Sequence, residues 1–130
     1  MLKLIRHAIA LVQHHYVETI VNAKRSTHWP TVEKHFLEEH SQCESCGTKK
    51  NLQVHHCLPF HIHPELELSE SNLIVLCMSI DHLCHYRIGH ANLSWKMYNP
   101  NVRKDAAKAL AHPEKFDAIV KLAATEAKKN

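Results

Sequence analysis

Residues 43–90 read CESCGTKKNLQVHHCLPFHIHPELELSESNLIVLCMSIDHLCHYRIGH, and the order of chemistry in that stretch decides how the chain folds. It holds a Cys-x-x-Cys knuckle at Cys43 and Cys46, then a paired His closing an alternating apolar run. An Asn opens a second apolar run, and Cys84-His85 comes after it. Gly47, directly after the second Cys, lets the backbone turn tightly so that both sulfurs face one point. On its own such a knuckle favours zinc over coincidence, and it becomes a strong signature only with a second pair. Four well-placed sulfurs can fix a tetrahedral zinc ion, and imidazoles from a strand and a facing helix can hold a second metal.

The apolar periodicity places these groups on elements. Leu52-Gln53-Val54-His55-His56 alternates as a short strand does, and Asn72-Leu73-Ile74-Val75-Leu76-Cys77 reads as a second, more buried one. Residues 57–71, CLPFHIHPELELSES, are too long for a tight turn and read as a wide loop joining antiparallel strands. Residues 84–90 suit a short helix carrying ligands.

Outward from this core the pattern turns helical. Apolar residues from Leu4 to Val21 recur at three-to-four spacing, which predicts an amphipathic helix over 4–23. Trp29-Pro30 opens a second helix running to about His40, with Val32, Phe36 and Leu37 facing inward. Asn99-Pro100 is a start signal, Asn as cap and Pro in the first turn, for a helix over 100–111. His112-Pro113 then separates it from another over 113–128. Arg103, Lys104 and Lys108 fall on the exposed side of the first of these two, where phosphates could meet them. Trp29, Trp95 and Tyr98 read as core-sealing aromatics rather than base-stacking ones.

With 130 residues, 45% of them hydrophobic and 22% charged, the chain fits a single globular α+β domain. Residues 1–42 form a helical flank, 43–98 the Cys/His core and 99–130 a helical C-terminal flank. The unusual features are 14 His and 5 Cys. An odd Cys count with a Cys-x-x-Cys pair among many His favours metal ligation over disulfides, and so a reducing, cytoplasmic setting. The opening residues lack the cleavage site of a signal peptide, and no run is long and apolar enough for a membrane span. Net charge is +3, with the core slightly acidic and the basic excess in 99–130, which permits a nucleic-acid partner without demanding one. Cys57 reads as a small residue packed behind the strand, and His61 and His63 as loop polar groups, His61 being the one able to approach a site.

Taken together, Cys43-x-x-Cys46, Val54-His55-His56, Asn72 to Cys77 and Cys84-His85 resemble the HNH endonucleases, whose core is the zinc-stapled ββα-metal, treble-clef fold. The motif covers about a third of the chain, and the loop and post-helix residues look like a small phage-type or bacterial subgroup. The resemblance implies a DNA phosphodiester hydrolase, nicking or cutting both strands, in a bacterial cell or phage-infected host. If it is phage-borne, packaging or other nuclease-associated proteins would be its partners. It implies His56 as general base, suited by an imidazole pKa near neutrality. His55 and His85 would hold a catalytic Mg²⁺, Mn²⁺, Ni²⁺ or Zn²⁺, and Asn72 would brace the loop.

Alternation puts His55 and His56 on opposite faces of the strand, and the resemblance implies that the chain bends as the strand ends so that His55 binds the metal while His56 reaches the water. The chain departs from the family pattern twice. Six residues separate Cys77 from Cys84 where two are usual, leaving Cys84 as fourth zinc ligand with His82 as the alternative. The family's further helix His, four residues after the first, is here Gly89, and His90 lies about 140° off the ligand face of an ideal helix. It can bind only if the helix ends or distorts. Two rival readings remain: a non-enzymatic zinc module binding nucleic acid or protein, and an RNA-directed nuclease.

Overall fold

A computed structural model describes residues 24–129. The helix expected over 4–23 lies outside the described residues. Helix α1 (Trp29–Glu39) leads to the Cys43 knuckle, strand β1 (Leu52–His56), a loop with two 3-10 turns, and strand β2 (Leu73–Cys77). A single π-helical turn (His85–Gly89), helix α2 (Val102–Ala111) and helix α3 (Phe116–Ala127) complete the order. Among the described residues no helix is long and apolar enough to cross a membrane.

The two strands pair antiparallel, with Leu52 opposite Cys77 and His56 opposite Leu73. All five residues of β2 are buried, whereas in β1 only His55 is buried, Gln53 is exposed and the other three are half-buried. The reason is that helices cover both faces of β2. Leu73 and Val75 point to one side, with Phe36, Trp29 and Val32 of α1. Ile74 and Leu76 point to the other, where they meet Ile88, Val102, Ala106, Phe116 and Val120. Full burial of each such aliphatic side chain is worth about 1.5–3 kcal/mol. α2 and α3 present their buried stripes at helical spacing, Val102, Ala106 and Ala109 on one and Phe116, Val120, Ala123 and Ala127 on the other.

Two local differences from the sequence reading have simple causes. α2 begins at Val102 rather than Pro100, because Asn99 is fully buried and acts one step upstream: its Oδ1 accepts from Asn101 N–H (2.9 Å) and its Nδ2 donates to Asp105 (2.8 Å). Arg103 is not free for phosphates, since its Nη2 donates to the carbonyls of Ser71 and Leu73, both at 2.7 Å, and so clamps α2 to the start of β2.

Candidate metal centres and the cavity beside them

The knuckle forms as its sequence predicts. Gly47 adopts φ +77°, and its N–H closes the turn onto Cys43 O at 2.8 Å, while Glu44 N–H donates to Val75 O and ties the knuckle to β2. The six-residue return from Cys77 folds tightly, with Ser79 O accepting from both His82 and Leu83. Leu83 takes a left-handed φ of +50°, a conformation costing about 1–2 kcal/mol for a residue with a Cβ, and thereby redirects Cys84 inward. Cys43, Cys46, Cys77 and Cys84 then converge, their sulfurs all within 4.8 Å of one another. This cluster could hold a metal ion such as zinc. His82 is not in it; its ring packs edge-on against Phe116 at 5.7 Å.

The chemistry of the thiols fits a cation. A hydrogen bond from Cys84, helped by backbone amides and opposed by burial, holds Cys43 down at about 5. Burial pushes Cys46 up to about 12, and the Cys43 hydrogen bond together with burial pushes Cys84 up. One thiolate forms readily and its neighbours resist, a conflict that a shared dication removes, because ligation requires all of them deprotonated. Ser45 is buried beside them.

The second cluster is built by the π-helical turn. His90 N–H reaches back to His85 O at 3.1 Å, an i→i+5 bond that widens the turn. Residues five apart then stand on one side, which is how His90 regains the ligand face that an ideal helix denies it. Gly89 explains why the intervening position carries no side chain. A Cβ there would lie 3.1 Å from His55 Cε1 and Nδ1 and 3.2 Å from Leu76 Cδ1. The His55 ring occupies the space a fourth-position His would need.

His55, His85 and His90 bring one ring nitrogen each to within 4.8 Å of one another. Two of the rings are oriented from behind: His85 Nδ1 bonds Gln53 Oε1 at 2.7 Å, and His90 Nδ1 bonds Met97 O at 2.6 Å. A carbonyl accepts only, so these contacts place the proton on Nδ1 and leave Nε2 free to ligate. Burial, reinforced by the neighbouring imidazoles, holds His55 well below its usual range and His85 down at about 4; burial also lowers His90. All three are therefore neutral at neutral pH, the state a metal requires. Among the described residues only Ser45 Oγ and His55 Nε2 are buried side-chain polar atoms without a hydrogen-bond partner. One lies at each cluster.

His56 stands on the other face of β1, its ring 4.5 Å from that of Trp29. Its Nε2 lies 2.9 Å from Glu67 O, so it donates there and keeps Nδ1 unprotonated. Burial lowers its pKa as well. Asn72 braces the loop that carries Glu67: its Oδ1 accepts from Leu58 N–H at 2.9 Å, and its Nδ2 donates to Leu58 O and Leu66 O. Glu67 is 4% exposed, and its carboxylate accepts from Ser26 N–H at 3.0 Å and Arg25 Nη1 at 3.3 Å, docking residues 25–26 onto the loop.

A cavity of about 280 Å³ opens over the end of β1 and is lined by both His55 and His56, so the opposite-face problem is solved by a pocket that wraps the strand end. His85, His90, Arg25 and Trp95 also line it. His61 reaches this cavity from the wide loop, while His63 bonds Glu65 at 3.0 Å. Cys57 packs against the core as a small half-buried residue. Glu67, Gln53 and Arg25 were not singled out by sequence reasoning. Gln53 was open to discovery, since two residues before His55 on a strand means the same face.

No family model, curated protein or solved structure matches this chain. A functional reading therefore rests on the geometry of the two clusters and the cavity.

Proposed function

We propose that the protein is a metal-dependent HNH-type endonuclease hydrolysing DNA phosphodiester bonds, with the ββα-metal, treble-clef core that its motif resembles. The observation that carries this reading is His55 Nε2: a buried ring nitrogen with no partner, facing two imidazoles already held as Nδ1–H tautomers. Leaving such a nitrogen unsatisfied costs about 1–3 kcal/mol, which a ligated cation offsets. A purely structural zinc site, served by the four cysteines, has no use for it.

In this reading Cys43, Cys46, Cys77 and Cys84 hold a structural zinc, and His55, His85 and His90 hold a divalent metal beside the cavity. Bound there, the metal supplies charge stabilisation to the phosphoryl and leaving oxygens. The chain supplies the rest. His56, neutral and oriented by Glu67 O, takes the proton of the attacking water at Nδ1. Asn72 fixes the loop on which Glu67 O depends, so it is a positioning residue.

The test is cleavage of supercoiled plasmid by wild-type and His56→Ala protein with Mg²⁺, Mn²⁺, Ni²⁺ or EDTA, after both are shown to bind one tight zinc. Metal-dependent nicking that is lost in folded His56→Ala supports the reading. Equal inertness of both proteins across all metals, on plasmid and on single-stranded DNA alike and with zinc in place, sinks it in favour of a zinc-binding module.

A further inference from the structure

Of the three aromatics expected to seal the core, Trp29 and Tyr98 are half-buried but Trp95, against that expectation, is 54% exposed. It is exposed at a particular place. Its ring lies 4.8 Å from that of His90 and 5.4 Å from that of His85, on the rim of the cavity both histidines line. Tyr86 supports it from one side at 5.2 Å. An indole held by neighbours yet open to water is a stacking surface, and a base laid on it would put its own phosphate within a single nucleotide's reach of the histidine cluster.

The charge around the cavity argues in the same direction. Among the described residues Arg25 is the one Lys or Arg side chain that lines it, and its guanidinium is already shared with Glu67 and the face of Phe60, 4.4 Å away. Duplex recognition draws its affinity from several phosphate contacts. Base stacking on aromatic side chains serves instead for single strands, whose bases are unpaired; a duplex must first unstack one.

We infer that Trp95 is the stacking platform of this same site for an unpaired base, and that the substrate is single-stranded DNA or an unpaired stretch rather than continuous duplex. The inference deepens the nuclease reading and rests on it, but it can be tested by binding alone. Wild-type, Trp95→Ala and Trp95→Phe proteins are titrated, without added catalytic metal, with a fluorescently labelled single-stranded oligodeoxynucleotide and with a hairpin duplex of the same sequence. Single-strand binding should be the tighter and should weaken about 5- to 100-fold in Trp95→Ala. Trp95→Phe should recover most of it, duplex binding should change less than about twofold, and wild-type indole fluorescence should be quenched by the single strand.

Unchanged single-strand binding in Trp95→Ala overturns the inference, as does an equal loss for both DNA forms. Cleavage assays on the same proteins separate the two readings. Trp95-dependent single-strand binding without hydrolysis under any metal leaves the stacking site standing and removes the nuclease. Hydrolysis of duplex and single strand alike, indifferent to Trp95, does the reverse.

Discussion

The sulfur cluster and the histidine cluster share the π-helical turn, yet their surroundings differ. Cys84, just before the turn, belongs to the first, and His85, the next residue, to the second. The sulfur cluster is closed: Cys43, Cys77 and Cys84 have no exposed surface, and four thiols are the number that a tetrahedral structural zinc takes. The histidine cluster offers three candidate ligands beside an open cavity, and a metal held by only three protein ligands keeps a coordination position for water or substrate. Under the proposed nuclease function the contrast is that between a staple and a reaction centre, because a metal saturated by protein can hold a fold together but cannot receive a substrate.

The sharpest way to break this comparison is to remove one ligand from each side. Cys43→Ser should abolish tight zinc binding and unfold the protein, since structural zinc couples about 10–16 kcal/mol of binding to folding in small zinc domains. Circular dichroism with zinc stoichiometry reads this, and a folded, metal-free Cys43→Ser protein would show that the sulfur site is not a staple. His55→Ala should do the opposite: zinc and fold retained, and plasmid nicking down at least about 100-fold. Should His55→Ala unfold the chain as fully as Cys43→Ser, the division of labour is wrong.

Two smaller changes sharpen the comparison from behind the ligands. Gln53→Ala removes only the partner of His85 Nδ1 on an exposed strand position, so metal affinity at the histidine site should fall about 10- to 100-fold with melting temperature unmoved. Isothermal titration with Mn²⁺ or Ni²⁺ measures it. Gly89→Ala forces a methyl against His55 and Leu76, and should cost about 1–3 kcal/mol in denaturant unfolding while displacing the His55 ring. A neutral Gly89→Ala protein would mean that the ring does not depend on that space.

How much of this was legible beforehand differs from element to element. Both strands were readable because Leu52-Gln53-Val54-His55 alternates apolar and polar residues and Leu73 to Cys77 is a continuous apolar run, two sequence signatures of a strand. Trp29-Pro30 and His112-Pro113 marked helix boundaries because proline constrains the backbone locally. Asn99 misled by two residues, since an Asx turn and a helix cap use the same side chain and differ only in the backbone path of the next few residues. Arg103 misled because a helical wheel reports which way a side chain leaves its helix, not which carbonyls another segment brings to its end.

By itself, then, the sequence determined the candidate site residues and the elements that carry them: the Cys43 knuckle, Cys77 and Cys84, His55 and His56 at a strand end, Asn72 and His85. These arise from residue type and local periodicity, which act over a few residues. Only the tertiary structure decided that Cys84 rather than His82 completes the sulfur cluster, that a π turn brings His90 beside His85, and that Glu67, Gln53 and Trp95 belong to the site. Each of those depends on a backbone distortion or on a contact between segments distant in the chain. Neither is encoded in the spacing of the residues it joins, because packing sets both.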